Sequence, residues 1–117
     1  MSVEALDRDE EFAFFRGFVE RYSPSGNEES AREYLHSRLP EMGFDVRTDE
    51  IGNVVASTDG KGEEVMLTSH MDTVPGEIPV QIEDGNLYGR GSVDAKGPLA
   101  SMFTAAARLT DDEEANV

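Results

Sequence analysis

Cysteine is absent from this 117-residue sequence. Disulfides and thiolate metal sites are therefore excluded, and a bound metal must use His, Asp or Glu. Lysine is scarce as well. Lys61 and Lys96 are the two lysines among ten basic residues, which face twenty-five acidic ones. A formal net charge of -15 repels nucleic acid and anionic membrane surfaces. No apolar run approaches the roughly 20 residues that a membrane span needs. Residues 1–5 show no basic region followed by an apolar stretch, so no signal peptide is expected and a cytoplasmic location is. Internal repeats and low-complexity segments are missing. The length suits one small domain rather than two.

An acidic excess of this size fits either a disordered chain or a folded one adapted to multimolar salt, where screening removes self-repulsion. Apolar periodicity argues for the folded state, and hydrophobic residues at 38% allow a modest core. Few lysines, more arginines and abundant Asp and Glu resemble proteins of halophilic archaea.

The spacing predicts a first helix over residues 7–22, with Phe12, Phe15, Val19 and Tyr22 as its apolar stripe. Ser23-Pro24-Ser25-Gly26 breaks it, and Ser25 with Glu28 reads as a capping box, with Asn27 as the alternative cap. A second helix follows, burying Ala31, Tyr34 or Leu35, and Leu39, and ending at Pro40 and Gly43. The period then changes to two, around Phe44, Val46 and Thr48 and around Ile51, Asn53 and Val55. Residues 59–62 form a turn. Residues 64–69 are a nearly continuous apolar run, consistent with a central strand. Residues 80–89 read as a hairpin about Asp84-Gly85. Pro98 suits the first turn of a third helix reaching Leu109. Residues 110–114 are an acidic, unpatterned stretch. The order of elements indicates an α/β domain.

Two features carry chemistry. His70-Met71-Asp72 follows the apolar run, at the kind of strand end where open α/β sheets place their sites. His70 offers one ring nitrogen to a metal. Asp72 has the reach to hydrogen-bond the other, or to orient a water, as ligating histidines usually require. By itself the pattern better describes a histidine satisfied at a strand end with Asp72 capping a turn. The second feature is Gly89-Arg90-Gly91-Ser92-Val93-Asp94-Ala95-Lys96-Gly97. Glycines around one carboxylate let the backbone approach closely, and a carboxylate can give one oxygen to each of two metals. The plainer alternative is a flexible turn with Asp94 as a helix N-cap. A phosphate loop is excluded, because Gly-x-x-x-x-Gly-Lys-Ser/Thr does not occur.

Taken together, His70-Met71-Asp72-Thr73-Val74-Pro75 and Leu87-Tyr88 followed by residues 89–97 resemble two signatures of a known family. It is the zinc aminoacylase, acetylornithine deacetylase, succinyl-diaminopimelate desuccinylase and glutamate-carboxypeptidase family. The resemblance runs from about residue 11 to residue 109, with Ala95-Lys96 where many members have Met-Lys. It implies a three-layer αβα zinc-exopeptidase domain, of which residues 1–109 would be the N-terminal part and residues 110–117 an acidic loop leading into a truncated strand. It implies two zinc ions, or cobalt in their place, with His70 binding one and Asp94 bridging both. Asp72 would be the catalytic-site residue that braces His70. A cis peptide bond after Asp94 is implied for the complete enzyme, with relaxation to trans open to the chain alone. Arg90 and Lys96 flank the site, where they would meet substrate carboxylates or form structural ion pairs.

The short segment at residues 76–83 and the Gly97-Pro98-Leu99-Ala100 helix start look like the LysW-lysine and LysW-ornithine hydrolases of archaea and Thermus-like bacteria. Those enzymes act in amino-acid biosynthesis and release lysine or ornithine from an acidic carrier protein. The implied partner is that carrier or another N-acyl amino acid, and the full-length enzyme would be a homodimer. An acetylornithine deacetylase, desuccinylase or dipeptidase-type carboxypeptidase is the alternative within the family. A non-catalytic binding or assembly module from a truncated gene is the alternative outside it. The family's Glu-Glu base and ligand pair ends a later strand. Glu113-Glu114 follows a helix and reads as a solvated acidic loop, and His36 is expected to face water. The chain is therefore expected to be an incomplete, inactive piece of a hydrolase of linear amide bonds.

Overall fold

The computed structural model describes residues 7–117. Residues 1–5, read above for a signal peptide, lie outside the described residues. Three helices and two strand pairs follow one another as α1 (Arg8–Val19), α2 (Glu29–Arg38), β1 (Asp45–Thr48), β2 (Val54–Ser57), β3 (Gln81–Glu83), β4 (Asn86–Tyr88) and α3 (Lys96–Ala107). Helix and strand thus mix along the chain, as the α/β reading expects. No helix of the described residues is long and apolar enough to cross a membrane.

Helix α1 begins where Asp7 accepts a hydrogen bond from the Glu10 amide at 2.8 Å. Asp9, Glu10 and Glu11 then place negative charge in the first turn, where the helix dipole favours it. The buried face of α1 shares Val19 with the predicted stripe, and Phe15 packs beside it, but its centre lies elsewhere. Phe14 and Phe18 are fully buried with Val19 beside them, while Phe12 is exposed. Both sets have helical spacing, and the choice falls to the neighbours. Helix α1 packs against α2 on one side and α3 on the other. Phe14 stacks on Tyr34 of α2 at 5.8 Å between centroids and meets Phe103 of α3 edge-on at 6.2 Å.

Gly17 makes the α1–α2 approach possible. A Cβ on it would lie within 2.7 Å of the Tyr34 ring, whose hydroxyl donates to the Phe14 carbonyl at 2.9 Å. Helix α2 buries Ala31, Leu35 and Leu39, as predicted, and a 3-10 turn at Pro40–Met42 ends it. The capping box does not form. Glu28 is the N-cap without a side-chain bond, and its carboxylate accepts from the Gly26 amide instead. Ser25 turns elsewhere, as described below.

The sheets are two separate antiparallel pairs, β1 with β2 and β3 with β4. Asp84 and Gly85 join the second pair with φ of 52° and 77°, the positive values of a type I′ turn. Residues 64–69 differ from expectation. Glu64 forms a parallel bridge with Asn116, and the Val65 amide donates to the Asn116 carbonyl at 2.8 Å. The run adds no further rungs to a ladder, and Val65, Met66 and Leu67 are exposed. A central strand is hydrogen-bonded to neighbours on both sides, and among the described residues this run has one short neighbour. Residues 115–117 fill that place, because Thr58 also bonds to Val117 and Ala115 across from it.

Candidate functional site

The segment just after α1 organises the site. The backbones of Ser23 and Ser25 clasp Thr73: the Thr73 amide donates to the Ser23 carbonyl at 2.8 Å, and the Ser25 amide donates to the Thr73 carbonyl at 3.1 Å. The Ser23 hydroxyl, fully buried, donates to the Met71 carbonyl at 2.7 Å. These bonds fix residues 71–73, which place His70 and Asp72.

The second loop comes from the other side. Asp94 sits immediately before α3, with the Lys96 amide donating to the Gly91 carbonyl at 2.9 Å to tighten the turn. Gly91 has φ of 85°, and a Cβ there would come within 2.6 Å of Thr73. Only glycine combines that backbone with so close an approach between the two loops. Ala95 is the N-cap of α3, so Asp94 is not a helix cap. The Asp94–Ala95 peptide bond is cis, the isomer implied for the complete enzyme.

The two loops bring His70 and Asp94, 24 positions apart, into contact. His70 Nε2 lies 3.0 Å from Asp94 Oδ1. The other ring nitrogen, Nδ1, lies 3.0 Å from Asp72 Oδ1 and 2.9 Å from the Asp72 carbonyl. Asp72 Oδ2 in turn accepts from the Ser25 hydroxyl at 2.5 Å. Electrostatics follow this geometry. The Asp72 carbonyl, then the Asp94 and Asp72 carboxylates, hold the His70 pKa above its ordinary value against a partial loss of hydration. The Ser25 hydrogen bond, followed by His70, holds the Asp72 carboxyl below its ordinary value. Asp94 projects into an open groove lined by Thr73, Val74, Arg90 and Ser92, its side chain 84% exposed.

An imidazole nitrogen and a carboxylate oxygen converge here on one point. Donors on a tetrahedral zinc, each about 2.1 Å from the ion, stand roughly 3.4 Å apart, close to the observed separation. With Nδ1 bonded to Asp72, Nε2 is the nitrogen that faces Asp94, the arrangement a ligating histidine needs. The pair fits as part of a metal site. Among the described residues, no three His, Asp or Glu side chains cluster to hold an ion by themselves.

The basic residues depart from expectation. Arg90 donates to the Gly76 carbonyl at 2.5 Å. Lys96 is fully buried, donates to the Arg21 carbonyl at 2.5 Å and lies 5.3 Å from the centre of the Phe18 ring. Burial pushes its ammonium pKa down to about 8. Among the described residues neither pairs with a carboxylate, and each donates to a backbone carbonyl instead. His36 is exposed and contacts Thr48 Oγ1, far from the site in its bonding. Ser23 and Ser25 are the site residues that sequence reasoning missed. Their partners are more than 40 positions away, and the only local signal at Ser25 was the cap pattern with Glu28.

The profile of peptidase family M20/M25/M40 matches residues 66–117, a stretch that contains both loops. A Thermococcus kodakarensis protein, provisionally named a LysW-lysine/LysW-ornithine hydrolase, is 50% identical over 86% of this chain. The chain belongs to this peptidase family. Two further relatives are a LysW-lysine hydrolase of Deinococcus radiodurans, 44% identical over 74% of the chain, and a LysW-lysine/LysW-ornithine hydrolase of Sulfurisphaera tokodaii, 42% identical over 77%. The chain spans 29%, 24% and 25% of these three proteins, roughly a quarter of their length.

Proposed function

We propose that this M20/M25/M40 chain supplies His70 and Asp94 to the divalent-metal centre of an amidohydrolase, with Asp72 holding His70 in place. The observation that carries the proposal is the meeting of His70 Nε2 and Asp94 Oδ1 at 3.0 Å, with Asp72 behind the ring. Two zinc ions are the proposed metals, with cobalt as a substitute. When bound, such ions polarise a scissile carbonyl and lower the pKa of a shared water. The chain's own residues prepare that chemistry. Asp72 keeps the ring proton on Nδ1, which leaves the Nε2 lone pair for the metal. Asp94, exposed at the mouth of the groove, has two oxygens to share. The general base and remaining ligands are proposed to lie in the part of the relatives' length that this chain does not span.

The relatives' names support lysine or ornithine joined to a carrier protein, LysW, as the proposed substrate, and so a place in lysine or ornithine biosynthesis. The coarser class is an N-acyl amino acid, which an acetylornithine deacetylase-like enzyme would take.

Calorimetric titration of the chain with Co²⁺ tests the metal reading. Wild type is expected to bind, and His70→Ala and Asp94→Ala to weaken binding by more than the roughly tenfold that losing an outer partner causes. Equal affinity in all three proteins would exclude these ligands. The chain alone is expected to hydrolyse neither acetyl-ornithine nor a carrier-linked lysine. A chimera carrying residues 7–117 in place of the matching segment of the Thermococcus kodakarensis relative is expected to cleave the carrier-linked substrate. A folded, metal-loaded chimera without turnover would count against the hydrolase reading.

A further inference from the structure

The Ser25 hydroxyl belongs to neither of the two loops that make up the site, yet it ends the chain of bonds that leads to His70. It donates to Asp72 Oδ2 at 2.5 Å, while Asp72 Oδ1 faces His70 Nδ1 at 3.0 Å. The two carboxylate oxygens are thus divided, one for each partner. A carboxylate bonded on one side only can rotate about its Cβ–Cγ bond, and terminal torsions of this kind are soft. Bonded on both sides, it has one orientation. The competing acceptor for the hydroxyl, the Thr73 carbonyl, is 3.5 Å away, at the limit of a hydrogen bond.

Ser25 is also well placed to act as an anchor. Its own amide is held by the Thr73 carbonyl, and Pro24 forms a parallel bridge with Thr73. The backbone beneath the hydroxyl is therefore tied to the loop it braces. We infer that Ser25 is a positioning residue of the site: acting through Asp72, it favours the His70 tautomer that carries its proton on Nδ1, against the pull of Asp94 Oδ1 on a proton at Nε2, and so presents the Nε2 lone pair to a metal ion. The inference rests on the reading of His70 as a metal ligand. It assigns Ser25 no contact with substrate or metal.

The test uses the 15N-labelled 117-residue chain, whose two histidines make the spectrum simple and whose His36 serves as an internal control. Long-range 15N–1H couplings report each ring's tautomer without metal, at about pH 9, where imidazoles are neutral. Co²⁺ affinity is measured separately. The tautomer is read in an Asp94→Ala background, because without metal Asp94 Oδ1, 3.0 Å from Nε2, draws the proton there. In that background His70 is expected in the Nδ1–H form, while Co²⁺ affinity is read with Asp94 in place. Ser25→Ala is expected to shift that balance toward Nε2–H and to weaken Co²⁺ binding about tenfold. Ser25→Thr, which keeps the hydroxyl, should restore both. The side chain is exposed, and an unchanged His36 signal and amide dispersion would show that the fold survives. An unchanged His70 tautomer balance in Ser25→Ala overturns the inference. If wild type binds no Co²⁺, the metal reading fails, and the tautomer measurement still decides the role of Ser25.

Discussion

Asp49 shows how much one carboxylate can organise. Its Oδ1 accepts from the Ile51 and Asn53 amides at 3.1 and 2.9 Å, and its Oδ2 accepts from the Asn53 side chain at 2.9 Å. These bonds close the connection between β1 and β2. They favour the charged form, the Asn53 side chain most strongly, so the Asp49 pKa lies below its ordinary value. A group whose folded pKa is depressed stabilises the fold above its unfolded value and loses that contribution as pH falls through the folded one. Asp49→Asn is therefore expected to lower Tm at neutral pH. The gap to wild type should close as pH drops below about 4. Thermal melts between pH 7 and pH 3 check this, and a gap independent of pH would show that the charge is not what holds the turn.

At the scale of elements, the fit of α1 against α2 depends on the missing side chain at Gly17. Gly→Ala inside a helix ordinarily adds about 1 kcal/mol of stability. Here the new methyl would run into the Tyr34 ring, and overpacking of this kind costs about 1–3 kcal/mol. Gly17→Ala is expected to destabilise the wild-type chain. In a Tyr34→Ala background, where the obstruction is gone, the same substitution should stabilise it. Denaturant unfolding of the four proteins in this cycle checks the change of sign. Destabilisation in both backgrounds would mean that Tyr34 is not what excludes a side chain at position 17. The same interface explains why the apolar stripe of α1 was read correctly at Val19 but misread at Phe12. Phe12, Phe14, Phe15 and Phe18 lie on one short helix, and several overlapping sets among them have helical spacing. Phe14 and Phe18 are buried because Tyr34 and Phe103 close over them from two other helices.

For the whole molecule the governing quantity is charge. The chain carries twenty-five acidic and ten basic residues, and the ion pairs among the described residues include Arg108 with Glu11 and Arg38 with Glu41, both involving exposed arginines or carboxylates. Surface pairs of this kind add little, about 0–1 kcal/mol each. Most of the acidic excess is left to screening by salt. We expect the chain to gain helix content and melting temperature between about 0.1 M and about 3 M KCl, as the Debye length shrinks from about 10 Å to less than 3 Å. Circular dichroism across that range checks it. Equal midpoints at both ends would remove the case for a salt-adapted protein.

Local chemistry alone determined the three helices, the Asp84-Gly85 hairpin and the buried residues of α2. Each depends on neighbours within a few residues: a cap, a period or a turn dipeptide. Other features needed distant partners. Residues 64–69 have the composition of a buried strand, but a strand is completed by its neighbours, and among the described residues the run meets one bridge at Asn116. Lys96 looks like a cation for substrate until the fold buries it against Phe18 and the Arg21 carbonyl, 75 positions away. Ser25 reads as a helix cap because Glu28 stands three residues on. The tertiary structure instead turns its hydroxyl 47 positions along the chain to Asp72, because the clasp around Thr73 brings that carboxylate within reach.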